Sequence, residues 1–330
     1  MTADRGGLWD VLWSKWTIAA GLLLLVKIYI RCTTGTCRST RRMEGRTVIV
    51  TGANSGIGIG KETARDLARR GARVILACRD VDRANTARDE IVASTGNQDV
   101  VVRKLDLASL SSVREFSKQI LESEPRLDVL INNAGVASTD DKKTKDNILV
   151  GMQANHFGHF LLTNLLLGLL KKSAPSRIVT VSSVMHRISN LSVDNLNGEK
   201  SFNWITLYPN SKLANMLTSI HLAKILDGTG VTSNCLHPGV LVTGIWRHVP
   251  PGLRQVLLFF LRMVLKDVVE GAQTTIHLAV SEQVEGVTGK YFAECKEVTP
   301  SAKARDEGLA RKLWEKSEQI VQLTPQETVL

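Results

Sequence analysis

The sequence predicts an α/β fold, a single domain built on one doubly wound parallel sheet. Three observations carry that expectation. Short runs rich in Val, Ile and Leu alternate with helical stretches from residue 46 onward, the pattern of strands buried on both faces. A glycine-rich loop, Thr51-Gly-Ala-Asn-Ser-Gly-Ile-Gly58, follows the first run and precedes a helical stretch, as in a nucleotide-binding βαβ unit. The 330 residues are 43% hydrophobic with only 8 prolines, which supports a large core and excludes wholesale disorder.

The first element is apolar. Trp16 to Val26 carries no charge, and Ile28 to Ile30 extends the stretch past Lys27. At about 1.5 Å per residue this is short for a ~30 Å hydrocarbon core. Leu8, Trp9, Val11, Leu12 and Trp13 lengthen it if Lys15 and Lys27 snorkel. The segment reads as a signal anchor, with a cleaved signal peptide and an interfacial helix as alternatives. Asp10 and the lack of a small-x-small site speak against cleavage. Arg31, Arg38, Arg41 and Arg42 come after the segment, so the rest of the chain is expected in the cytosol, with membrane lipid as a partner.

Strands are predicted at 47–52, 73–78, 99–107, 127–135, 177–183 and 231–239, and helices at 61–70 and 109–122. The tail 303–322 carries Leu309, Leu313, Trp314, Ile320 and Val321 at helical spacing, a packing stripe. The expected partition is an anchor and basic juxtamembrane segment over 1–42, one catalytic domain over 43–300, and a helical tail over 301–330. The net charge of +10 is scattered rather than run together, which argues against a nucleic-acid partner. Five cysteines without metal-type spacing argue against a disulfide framework and a zinc site, so no metal is expected.

In the glycine loop, small residues let the backbone turn and approach a pyrophosphate, whose charge meets the helix N-terminus. Tyr208 and Lys212 are four apart, so a helix projects both from one face. A lysine ammonium beside a phenol favours the phenolate and eases proton exchange. At the end of the second strand, Arg79 offers a fork of donors to a ribose 2′-phosphate. An acidic residue there would repel it, and Asp80, one position later, is expected to point elsewhere.

These motifs resemble the short-chain dehydrogenase/reductase family over roughly residues 44–300. The resemblance implies a Rossmann-type sheet and a nicotinamide cofactor. It assigns Gly52, Asn54, Ser55, Gly56, Ile57 and Gly58 to the cofactor loop and Asp106, with Leu107, to the adenine side. Asn133, Ala134 and Gly135 match the motif that ends the fourth strand. Asn155, Ser183, Tyr208 and Lys212 match the catalytic tetrad, with Tyr208 and Lys212 also touching the cofactor. Pro238, Gly239 and Thr243 match the nicotinamide side, although Val242 and Gly244 depart from the usual neighbours of that threonine.

LACRD (76–80), NHFGHFLLTNLLL (155–167), YPNSKLAN (208–215), HPGV (237–240) and GKYF (289–292) look most like the membrane-bound retinol dehydrogenases that use NADPH. The implied function is interconversion of retinal and retinol, mainly all-trans-retinal reduction with NADPH, by a protein anchored in the endoplasmic reticulum. A reductase of steroid or lipid-derived carbonyls is the alternative. A membrane-tethered NADP(H)-binding protein with little catalysis is the rival of another class.

One departure bears on the loop. Ile59-Gly60 stands between the third glycine and the Lys-Glu-Thr-Ala helix start. Two extra helical residues would rotate the rest of the helix by about 200° and turn Ala64, Leu67 and Ala68 off the sheet. The loop or the first helical turn is therefore expected to absorb the insert, with Gly60 serving as the third glycine. The segment 250–266, with its VLLFFL run, is expected either to form an apolar lid near the membrane or to pack into the core.

Overall fold

The computed structural model describes residues 6–54, 58–137, 140–239 and 266–327. Helix α1 (Gly6–Thr33) covers the N-terminal apolar stretch. Among the described residues no helix is long and apolar enough to cross a membrane, and a spanning anchor is not observed.

The body is one eight-stranded sheet in the order β3-β2-β1-β4-β5-β6-β7-β8. Its strands are β1 (Thr47–Thr51), β2 (Arg73–Cys78), β3 (Val100–Lys104), β4 (Val129–Asn132), β5 (Ser176–Val181), β6 (Val231–His237), β7 (Tyr291–Ala293) and β8 (Lys296–Glu297). All neighbouring pairs are parallel except β7 with β8. The six predicted runs become β1 to β6: β2 keeps the predicted bounds, β5 starts one residue earlier and ends two earlier, and the other four are shorter than predicted. The chain reverses its direction across the sheet between β1 and β4, which opens a crevice at their carboxyl ends.

Alternation along each strand builds two cores. Val48 and Val50 join Ala64, Leu67 and Ala68 of α2 (Ile59–Arg69) and Ile276 and Ala279 of α7 (Val268–Val280). On that side α3 (Val81–Thr95) also contributes Ala84 and Ile91. Ile49 faces the other side, with Phe116 of α4 (Leu110–Ser123), Leu161 of α5 (Gly158–Lys172) and Leu213 of α6 (Trp204–Ile225). The tail helix α8 (Glu307–Val321) adds Leu313, Trp314 and Val321 to this second core. Its apolar stripe is packing, as the spacing predicts, and Trp314 meets the Phe160 ring edge-on at 4.7 Å.

Between α1 and β1 the chain runs down the outside of α7. Gly35 N donates to Glu294 Oε2 at 2.9 Å, and Cys37 N to Gln273 Oε1 at 3.0 Å. Arg41 then pairs with Glu282 and Glu285 beyond the far end of α7. The chain leaves α1 at the carboxyl edge of the sheet, beside the turn that joins β7 to β8.

Candidate active site

At the end of β1, Gly52 has φ +71°, and a Cβ there would lie 2.9 Å from Ala134 Cβ. Glycine is required on both counts. Helix α2 starts at Ile59, with Gly58 at its N-cap and no side chain capping it. Lys61 N already donates to the Gly58 carbonyl at 3.2 Å, so the N–H groups of Ile59 and Gly60 are the ones that a helix start offers to an anion. A Cβ on Gly60 would fall 2.4 Å from Asn133 Nδ2 and 3.1 Å from the Gly52 carbonyl oxygen. Gly60 is therefore the close-approach glycine, and Ala64, Leu67 and Ala68 remain buried. Helix α2 thus includes Ile59 and Gly60 in its first turn while its apolar face keeps its place against the sheet. Ser55, Gly56 and Ile57, with Thr243, Val242, Gly244, His248 and the stretch 250–265, lie outside the described residues.

A threonine that motif reading passes over organises the crevice. Thr51 Oγ1 accepts from the backbone N–H groups of Asn133 and Ala134, both at 2.9 Å. Asn133 Nδ2 donates back to the Thr51 carbonyl at 2.8 Å. His159 Nδ1 donates to the Asn155 carbonyl at 3.1 Å, so its Nε2 accepts the Thr51 hydroxyl proton at 2.9 Å. Burial holds the His159 imidazole neutral, with its pKa pushed down to about 3. His159 lies four residues after Asn155, a helical spacing that sequence reading could have used.

Asn155 sits in a π-helical turn, Gln153–Phe157, just before α5. Such turns recur at functional sites because they redirect one side chain. Its Oδ1 accepts from Val136 N at 2.7 Å. Its Nδ2 donates to the Val136 carbonyl at 2.9 Å and to Ser211 Oγ at 3.0 Å. A Cβ on Gly135 would be 3.3 Å from Lys212 Nζ and 3.6 Å from Asn155 Oδ1. The bare glycine thus leaves the lysine head accessible from the crevice.

Lys212 Nζ donates to the Val181 carbonyl at 3.1 Å and stands 5.5 Å from the Tyr208 ring centre. Burial pushes its ammonium down to about 8. Burial raises the Tyr208 phenol above its usual value, and a hydrogen bond with Ser183 opposes the rise. This corrects the expectation that Lys212 draws the phenol toward phenolate: desolvation decides the direction, and the ammonium is engaged with a backbone carbonyl. A tyrosine that keeps its proton is a donor. Ser182 is buried and donates to the Lys212 carbonyl at 2.8 Å, tying β5 to α6. Ser183 faces Tyr208.

The remaining expected cofactor residues line the same edge. Arg79 is exposed just past β2. Asp80 turns away, accepting from Arg83 N as the cap of α3, while Asn54 Nδ2 reaches the Asp80 carbonyl at 3.2 Å. Asp106 folds onto its own turn, accepting from Ala108 N at 3.0 Å, and Leu107 is buried. Gly239, after Pro238, has φ +96° and lies against Lys266, which is bound to Glu294. An uncapped helix start, glycines that no side chain can replace and a row of short backbone turns fit an extended dinucleotide.

The short chain dehydrogenase family model matches residues 46–253. Human retinol dehydrogenase 14 is 50% identical over 296 residues, covering 85% of this chain and 88% of that protein. Human retinol dehydrogenase 11 is 47% identical over 283 residues, covering 86% and 88%. Among solved structures, RhlG of Pseudomonas aeruginosa with NADP in its active site superposes with a TM-score of 0.62 at 27% identity, covering 76% of this chain and 95% of that one.

Proposed function

The chain belongs to the short chain dehydrogenase family of oxidoreductases, and within it we propose an NADPH-dependent enzyme that reduces all-trans-retinal to retinol at a membrane. The observation that carries the reaction is the Ser183–Tyr208–Lys212 constellation. A bound NADPH supplies the hydride. The Ser183 hydroxyl orients the substrate carbonyl oxygen, and Tyr208 delivers its proton to that oxygen. Lys212, with an ammonium that burial has weakened, restores the proton and holds the nicotinamide ribose. Asn155 fixes the Val136 backbone and the wall around the lysine. Asn54, Ser55, Gly56, Ile57, Gly58 and Gly60 would hold the pyrophosphate, and Asp106 with Leu107 would take the adenine side. Asn133, Ala134, Gly135, Pro238, Gly239 and Thr243 take the nicotinamide side.

Arg79 supports the choice of NADPH, because it is exposed and in no ion pair among the described residues, with Asp80 turned onto a helix cap. The NADP named with RhlG is consistent with that choice. The retinoid substrate is supported by the two retinol dehydrogenases and by Val136, Val184 and Met185, which stay exposed beside Gly135 and Ser183. Helix α1 serves as the membrane tether, with the body facing the cytosol at the endoplasmic reticulum. A largely reduced NADP pool then drives aldehyde to alcohol.

The test is steady-state turnover of retinal, a short aldehyde and a ketosteroid in both directions, with NADPH and NADH. Retinal with NADPH should give the highest kcat/KM. Arg79→Ala should lower the NADPH/NADH preference at least tenfold, about 1.4 kcal/mol. A ketosteroid giving the highest value, or no turnover of retinal, removes the retinoid assignment and leaves a general carbonyl reductase.

A further inference from the structure

Outside α1, nine large apolar side chains are exposed among the described residues. Leu121, near the C-terminus of α4, lies at the amino edge of the sheet. The other eight gather at the carboxyl edge. Val136, Val184 and Met185 border the Ser183–Tyr208 crevice. Along the same edge Ile188 is 57% exposed, Trp204 57%, Ile205 56%, Val269 53% and Phe202 37%.

Ile188 and Val269 belong to the part of this edge where α1 leaves the body, and Trp204 and Ile205 open α6 on the opposite face of the sheet from α7. His186 rests edge-on against the Tyr291 ring at 5.3 Å and accepts from Ser301 N. Arg187 donates to the Thr299 carbonyl at 3.1 Å. The segment carrying Ile188 is thereby fastened to the chain around β7 and β8, whose turn residue Glu294 holds Gly35, two residues after α1. Strand β7 is two strands from β5, about 10 Å. Ile18, Leu22, Leu25 and Ile28 of α1 are exposed as well.

We propose that Ile188, Phe202, Trp204, Ile205 and Val269 form a second contact with the lipid bilayer, so that the mouth of the active site rests on the membrane to which α1 tethers the chain. Position identifies the occupant. A tether leaving at the carboxyl edge brings that edge to the surface, and an exposed tryptophan with exposed Ile205 beside it and Phe202 two residues before it is suited to the interface. An apolar substrate then passes from bilayer to crevice without crossing water. The inference rests on the membrane reading above and adds the orientation of the body.

The experiment uses the full chain with Ile188→Glu, Trp204→Glu and Ile205→Glu combined. None of the three belongs to the catalytic machinery. Retinal and a long saturated aldehyde are each supplied in phosphatidylcholine vesicles holding the enzyme, or on cyclodextrin to enzyme in detergent. A short water-soluble aldehyde reports whether the variant is folded and active. Expected are a loss of tenfold or more in kcat/KM for either long aldehyde from vesicles, a loss under threefold from cyclodextrin, and no change with the short one. Equal losses in both presentations would make these residues part of the pocket and overturn the proposal. Unchanged transfer from vesicles would overturn it too, and a simultaneous shift in oligomer size would assign the face to a second copy. If the unaltered chain turns over the long saturated aldehyde but not retinal, the retinoid reading fails while the docking result stands on the other substrate.

Discussion

Burial moves Tyr208 and Lys212 in opposite directions, because it disfavours the charged form of each. The phenol rises, so Tyr208 holds its proton at neutral pH. The ammonium falls to about 8 and so exchanges protons near neutrality. Donor and resupply are thus set by the same desolvated pocket, four residues apart on α6. Tyr208→Phe keeps the ring and its packing and removes only the proton. Turnover should drop by about 10²–10⁴-fold, while NADPH affinity, measured by fluorescence titration, stays within about threefold. Retained turnover would refute the role given to Tyr208. Ser182→Ala should behave differently from Ser183→Ala, since Ser182 bonds to the Lys212 carbonyl and joins β5 to α6.

At the scale of elements, the insert at the start of α2 decides which glycine meets the sheet. Gly58 has φ −155°, an extended backbone that any residue adopts. Gly60 faces Asn133 and the Gly52 carbonyl with no room for a methyl group. Gly60→Ala should push α2 away from the Thr51–Asn133 turn and weaken NADPH binding at least tenfold, about 1.4 kcal/mol, with Gly58→Ala much milder. The reverse ranking would show that the register of α2 is wrong. The buried face of α2 was legible because Ala64, Leu67 and Ala68 permit only one rotation against the sheet. The runs that became β1, β2 and β4 were legible for a similar reason: they are buried almost throughout and read as clusters of Val, Ile and Leu, whereas edge strand β3 is only partly buried and β6 mixes Thr, Ser and Asn into its run. Strand β7 has three residues and β8 two, too few for any period to register. The Thr51–His159 link was hidden because it joins residues 108 apart that meet only when β1 lies beside α5. Spacing places Lys212 near Tyr208 but says nothing of how much water either keeps, and it is burial that sets the direction of the Tyr208 shift.

Across the whole molecule, the described histidines share one property. His156, His159, His186, His221, His237 and His277 all have their pKa lowered, with burial as the first cause. His156 and His237 fall to about 4 and His159 to about 3. His156 bridges Asn215 and Ser317, and His159 bridges Thr51 and Asn155, so protonating either breaks the packing of α6, α8 or the cofactor crevice. The unfolded chain binds protons at these groups below about pH 6.5, and the folded chain does not until pH 3–4. Stability therefore falls as pH drops through 6.5 and keeps falling toward 4. At pH 5.5 each of these three groups costs about 1.4 kcal/mol, and together about 4 kcal/mol, a large part of an ordinary folding stability of about 5–15 kcal/mol. At roughly 2 °C per kcal/mol for a chain of this size, the thermal midpoint of the full chain in detergent should fall by about 8 °C between pH 7 and 5.5. Replacing His156 with Asn should flatten that slope by about one proton's worth, whatever it does to the midpoint at pH 7. A midpoint unchanged from pH 7 to 5 would mean that these imidazoles are solvated enough to charge in the folded state, and the neutral His159 link between Thr51 and Asn155 would fall with them.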